Sequence, residues 1–91
     1  MAYEVKIHTL SPKKIEANRK RYQAMVGKAV TLMVTGAEVK GTVKEFKEDE
    51  HGFDLVIEHE PVRWGKDTYT IAYCFARKID DWGSLNNVKL V

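Results

Sequence analysis

Five residues in the middle of the chain, His51, Asp54, Glu58, His59 and Glu60, are of the types that ligate a divalent cation. A lone Cys74 and the adjacent Asp80 and Asp81 are of the types that serve as nucleophile and as general acid or base. Spacing argues against each in turn. Glu58 and Glu60 fall on one face of a strand while His59 points the other way, and no close Cys or His pair fixes a coordination geometry. Cys74 sits on the small-residue face of a strand, whereas a reactive thiolate needs exposure and positive surroundings. Neighbouring carboxylates point in different directions, so Asp80 and Asp81 read as a turn before Gly83. Gly36 and Gly41 punctuate β structure and build no phosphate-cradling loop. The sequence predicts no catalytic residue, no metal site and no cofactor. The expected activity is binding.

Two sets of residues suit binding. Lys13, Lys14, Lys20 and Arg21 share one side of a helical segment, where they could track a phosphate backbone. Arg63 and Trp64 in the stretch "EPVRWGKD", and Trp82 near Asn86 and Asn87, are of the types that stack on bases or anchor a protein interface. The competing structural role for Trp64 and Trp82 is to plug the open ends of a small barrel. The partner expected first is RNA or a ribonucleoprotein, through the basic helix face. A protein partner is the other class, met by the Arg63–Trp64 loop and by a poorly defended edge strand over 86–91 that could also pair copies of the chain.

The totals set the frame for these residues. A chain of 91 residues with 44% hydrophobic and 31% charged content suits one globular domain over residues 1–91. No apolar run approaches the roughly 20 residues of a membrane span, and the first residues lack a signal-peptide layout. One cysteine admits no internal disulfide, so a cytoplasmic location is expected. The net charge of +2 is unevenly spread: residues 1–28 hold seven basic and two acidic groups, and residues 38–67 hold five basic and nine acidic ones.

Periodicity then assigns the elements. Residues 1–10 alternate Tyr3, Val5 and Ile7 against Glu4, Lys6 and His8, the pattern of a half-buried strand. Residues 11–27 read as a helix, with Ser11 as N-cap, Pro12 at the first position and Gly27 just past the end. Its apolar stripe is Ile15, Tyr22, Met25 and Val26, and Arg19 near that stripe must pair or snorkel. Residues 28–91 alternate as five short strands. Val30, Leu32 and Val34 share a face, as do Val39, Gly41 and Val43, while Phe46 falls out of phase and predicts a bulge near Lys44 and Glu45. Phe53, Leu55 and Ile57 point inward. Tyr69, Ile71, Tyr73 and Phe75 form a bulky face opposed to Thr70, Ala72, Cys74 and Ala76, and a bent strand covered on both sides is expected there. Residues 86–91 form the last strand. Five strands with tight turns hide their edges by closing into a small barrel, with Gly41 as the bend.

The stretch "VGKAVTLMVTGAEVKGTVKEF…GFDLVIE" resembles the first motif of Sm-like proteins. Gly27, Lys28, Val30, Leu32, Gly36, Gly41, Thr42, Val43, Phe46, Leu55, Val56 and Glu58 occupy matching positions. "GSLNNVKLV" is weakly similar to the second motif through Gly83, Asn87 and Val88. The same stretch is similar to the C-terminal barrel of bacterial ribosome-maturation factors, and less so to the KOW motif. The resemblance implies a mainly β domain, a five-stranded SH3-like or Sm-like barrel preceded by one helix, plus an extra N-terminal strand. It also implies association with RNA, ribosome or transcription machinery. The family's base-gripping residues are not preserved: Lys47 stands at the expected Asp, Phe53-Asp54 at the expected Met-Asn, and Trp82 at the expected Arg.

Overall fold

The computed structural model describes residues 10–91. The strand expected over residues 1–10 lies outside the described residues except for Leu10, whose N–H donates to the Ile79 carbonyl at 2.9 Å. Helix α1 spans Pro12–Ala24, and the Ser11 hydroxyl accepts from the Lys14 N–H at 3.2 Å, as an N-cap does. The helix stops three residues short of the expected end. Gly27 then takes φ 83°, and its N–H donates to the Val43 carbonyl at 2.8 Å, so the helix exit is stitched to the sheet. Because the helix ends early, Val26 leaves the apolar stripe and is exposed, while Tyr22 and Met25 are buried.

The remainder is antiparallel β: β1 at Ala29–Val34, β2 at Ala37–Glu48, β3 at Gly52–Trp64, β4 at Asp67–Arg77 and β5 at Lys89–Leu90. Strand order is β4-β3-β2-β1-β5. Thr35 and Gly36, both at positive φ, close the two-residue β1–β2 hairpin. Asp49 closes the next turn by accepting the N–H groups of His51 and Gly52 at 2.8 and 2.9 Å. The expected bulge is present: the β2–β3 register shifts between Val43 and Glu45, which brings Phe46 back to the inner face opposite Leu55. A Cβ at Gly41 would lie 2.7 Å from the Glu58 carbonyl and 2.9 Å from Ile57 Cγ2, so β2 and β3 meet there more closely than a side chain permits. The chain is therefore mainly β with one helix. Its sheet is not closed, because β4 and β5 are its two edges and do not pair with each other.

The core lies on the inner face, where Val30, Leu32, Val43, Phe53, Leu55 and Ile57 pack under Tyr22 and Met25 from α1 and Leu85 and Val88 from the C-terminal segment. One strand departs from expectation. On β4 the bulky residues face solvent, and the small ones, Cys74 and Ala76, are buried. The strand is covered on one side, not on both, and pairing with β3 explains which side. Phe53, Leu55 and Ile57 fill the inner face, and their partners on β4 are Ala76, Cys74 and Ala72. Large residues on both strands would overfill the same space. The last strand is also shorter than expected: Ser84–Asn87 is a 3-10 turn, leaving two residues to pair with Val30 and Thr31.

Candidate functional site

Alternation along β4 sends Asp67, Tyr69, Ile71, Tyr73, Phe75 and Arg77 to the outer face. Tyr73 is 71% exposed, Ile71 49%, Tyr69 41% and Phe75 39%, values that belong to a surface rather than a core. Trp82 extends the row, packing edge-on against Phe75 with ring centroids 6.0 Å apart. Trp64 extends the other end, opposite Asp67 at the tip of the β3–β4 hairpin. Neither tryptophan plugs an opening; both are more than 60% exposed. At about 200 Å² per large side chain, these six residues present roughly 650 Å² of mostly apolar surface. A typical monomer's largest patch is about 300–600 Å².

The row is held in place locally. The Phe75 N–H donates to the Ser84 hydroxyl at 3.0 Å, and the Arg77 N–H donates to the Trp82 carbonyl at 2.9 Å. Gly83, at φ 154°, lies so close beneath Phe75 that an added Cβ would meet its carbonyl oxygen. Residues 82–84 thus cover the backbone edge of β4 beside Phe75 and Arg77. Its neighbours on the outer face of β3 are Glu58, Val56 and Asp54, and beyond a register shift Val62 pairs with Tyr69 while packing against the core. The surface offers aromatic rings flanked by charges of both signs, since Lys47 of β2 stands opposite Asp54 and Arg77 ends the row.

The basic residues singled out from sequence are elsewhere, on α1, which packs against the inner face through Tyr22 and Phe53 at 5.6 Å. Lys13, Lys14 and Lys20 are exposed and form no ion pair among the described residues. Arg21 is engaged: it lies over the Tyr22 ring at 4.8 Å, donates to the Tyr22 hydroxyl at 2.8 Å and reaches Asp81 at 3.5 Å. Tyr22 in turn donates to Asp81 at 2.7 Å, and burial together with that carboxylate pushes its phenol upward. Arg63 and Trp64 lie on opposite faces of β3, as consecutive strand residues do; Arg63 pairs with Thr68 and Trp64 with Asp67.

The acidic loop after β2 is mostly committed to structure. Glu48 accepts two hydrogen bonds of 2.7 Å from Arg19 and a 2.8 Å contact from Lys78. The Arg19 hydrogen bond, then that from Lys78, pulls its carboxyl from 4.5 down to about 2. Arg19, which also pairs with Glu16, thereby satisfies the expectation that it must pair. Arg19 and Lys78 flank the Phe53 ring at 5.8 and 5.5 Å, forming a polar clasp over the end of the core. Asp49 is held below the usual carboxylate range by the N–H groups of His51 and Gly52.

Chemistry of the reactive types is muted. Burial pushes the Cys74 thiol up, away from a thiolate. His59 faces inward and is buried, its Nδ1 2.6 Å from the Glu60 carbonyl and its Nε2 without a partner among the described residues. Among the described residues no three His, Cys, Asp or Glu side chains gather as a metal site would require. No helix among them is long and apolar enough to cross a membrane.

Sequence reasoning missed the row Tyr69, Ile71, Tyr73 and Phe75 as a surface. The signal was there: a β4 covered on both sides would add a second bulky face to the one β3 supplies, more than so small a sheet can enclose.

Comparison with known proteins gives a family without an assigned role. The family described as a domain of unknown function, DUF7258, matches residues 13–90, and the chain belongs to it. No curated protein and no solved structure matches.

Proposed function

We propose that this chain is a non-catalytic protein-interaction module whose docking element is the outer face of β4. The observation that carries this reading is the exposed row Tyr69, Ile71, Tyr73 and Phe75 with Trp64 and Trp82 at its ends. Exposed aromatic residues are the residue types that dominate protein interfaces. The carboxylates of Asp54, Glu58 and Asp67 on this face offset Lys47 and Arg77, so it carries no excess of positive charge for a polyanion. We read the sheet as a small barrel of the SH3-like or Sm-like kind left open between β4 and β5, and the strand order and the close approach at Gly41 support that. A cytoplasmic setting suits its single free thiol.

A second reading, association with RNA or a ribonucleoprotein, is favoured by one observation: Lys13, Lys14 and Lys20 stand exposed without carboxylate partners among the described residues. Affinity capture with paired variants separates the two. The expected result is a stoichiometric protein retained by the native chain and by Lys13→Glu/Lys20→Glu, and lost with Ile71→Lys/Tyr73→Lys. Retention of nucleic acid that is lost with the helix variant and indifferent to the β4 variant would move the function to α1.

A further inference from the structure

The outer row of β4 has a charge order as well as an apolar middle. Read along the strand it runs Asp67, Tyr69, Ile71, Tyr73, Phe75, Arg77, with an acid at one end and a base at the other, and both ends are exposed. A row of this kind complements itself when it is turned end for end. We infer that its occupant is a second copy of this chain, packed face to face and antiparallel across β4 about a two-fold axis at Ala72. The inference rests on the protein-interaction reading above and names the partner for the same surface.

The register follows from the axis. Asp67 meets Arg77 of the partner subunit, Tyr69 meets the partner's Phe75, and Ile71 meets the partner's Tyr73. β3 pairs with β4 at Gly52–Arg77, Asp54–Phe75, Val56–Tyr73 and Glu58–Ile71 before its register shifts between Glu58 and Val62, so the self-complementary order is carried by β4 alone. A parallel arrangement would set Asp67 and Arg77 each against its own copy, with like-charge repulsion at both ends. The geometry selects the antiparallel dimer.

Area and edge geometry agree. The row supplies roughly 650 Å² per copy, so two copies bury about 1,300 Å², inside the 1,200–2,000 Å² range of stable interfaces. Joining β4 edge to edge is limited to the stretch before Phe75, since residues 82–84 already occupy the backbone beside Phe75 and Arg77. The Arg77 guanidinium reaches Asp80 at 3.3 Å in the single chain, and both side chains stay accessible enough for Arg77 to be shared.

Sedimentation equilibrium on the full chain tests this, with circular dichroism to confirm that each variant folds. The expected result is a reversible dimer with a dissociation constant in the micromolar range. Tyr73→Lys should raise that constant by about a hundredfold or more. Asp67→Arg and Arg77→Asp should each raise it by about fivefold to tenfold. Mixed in equal amounts, the two charge variants should form a heterodimer with near-native affinity, because each contact then pairs Arg with Asp. A chain that stays monomeric at about 0.5 mM overturns the inference, whatever else covers the row. So does a dimer indifferent to Tyr73→Lys, or charge variants that do not recover on mixing. A monomer that still loses a captured protein partner with Ile71→Lys/Tyr73→Lys leaves the interaction module standing and removes only the second copy.

Discussion

β2 and β4 flank the same strand, β3, and treat it in opposite ways. β2 buries Val43 opposite Ile57 of β3 and turns Lys44 and Glu45 to solvent. β4 buries Cys74 and Ala76 and turns its tyrosines, isoleucine and phenylalanine outward. β2 slips phase at its bulge and β4 alternates in burial over residues 72–77, and neither pattern alone says which face is inside. The deciding quantity is the volume that β3 has already placed in the core. Opposite Ile57 sits Val43 on one side and Ala72 on the other. A core of this size accepts a second bulky row from one flank only. The displaced row on β4 then becomes surface, and a surface that apolar is one a protein keeps for contact.

Substitutions at matched positions put that contrast at risk, and the largest effect is expected on β2. Val43→Asp places an unpaired carboxylate where no water reaches, and should cost about 3–5 kcal/mol, enough to unfold much of the population. Denaturant titration reads it. If Val43→Asp were tolerated, the inner face would not be the core.

Ala76→Leu comes next. Ala76 is fully buried opposite Phe53, and the extra methylenes should destabilise by about 1–3 kcal/mol. Stabilisation instead would mean that a void lies beneath β4 and that its small face is underpacked.

The polar clasp gives a smaller, pH-dependent effect. Glu48 has its carboxyl depressed to about 2, so its contribution to stability is full above 4.5 and fades as pH falls toward 2. Solvent screening at this half-open site leaves about 1 kcal/mol of it. Thermal melts from pH 6 to 2 should show the acid limb flattened in Glu48→Gln; an unchanged limb would place the acid-sensitive group elsewhere.

The smallest change is expected on β4 itself. Tyr73→Lys in the monomeric state should alter stability by no more than about 0.5 kcal/mol, as exposed substitutions do. A large loss there would return the bulky face to the core and collapse the contrast with β2.

Much of the architecture was legible in sequence because it rests on local chemistry. Ser11 and Pro12 mark the helix start, Gly36 the first hairpin, and the phase slip at Phe46 the bulge. Arg19, misplaced for a helix stripe, announced its need for a carboxylate, and Glu48 supplies it. What local pattern could not convey was competition for shared space. The orientation of β4, the separation of Arg63 from Trp64 and the engagement of Arg21 by Tyr22 and Asp81 all depend on residues distant in the chain. The site was therefore half visible: Trp64 and Trp82 stood out by type, while the row joining them read as core.

Thiol labelling tests the orientation of β4 most directly. Cys74 in the native chain is compared with a single cysteine at the next position outward, Tyr73→Cys in a Cys74→Ala background, at a concentration low enough to keep the chain monomeric. The thiol at position 73 should react at nearly the rate of an unfolded peptide. Native Cys74, buried and with its ionisation suppressed, should react about a hundredfold more slowly or less. Fast labelling of Cys74 together with protection at position 73 would show that β4 faces the other way, and the surface argued for here would not exist.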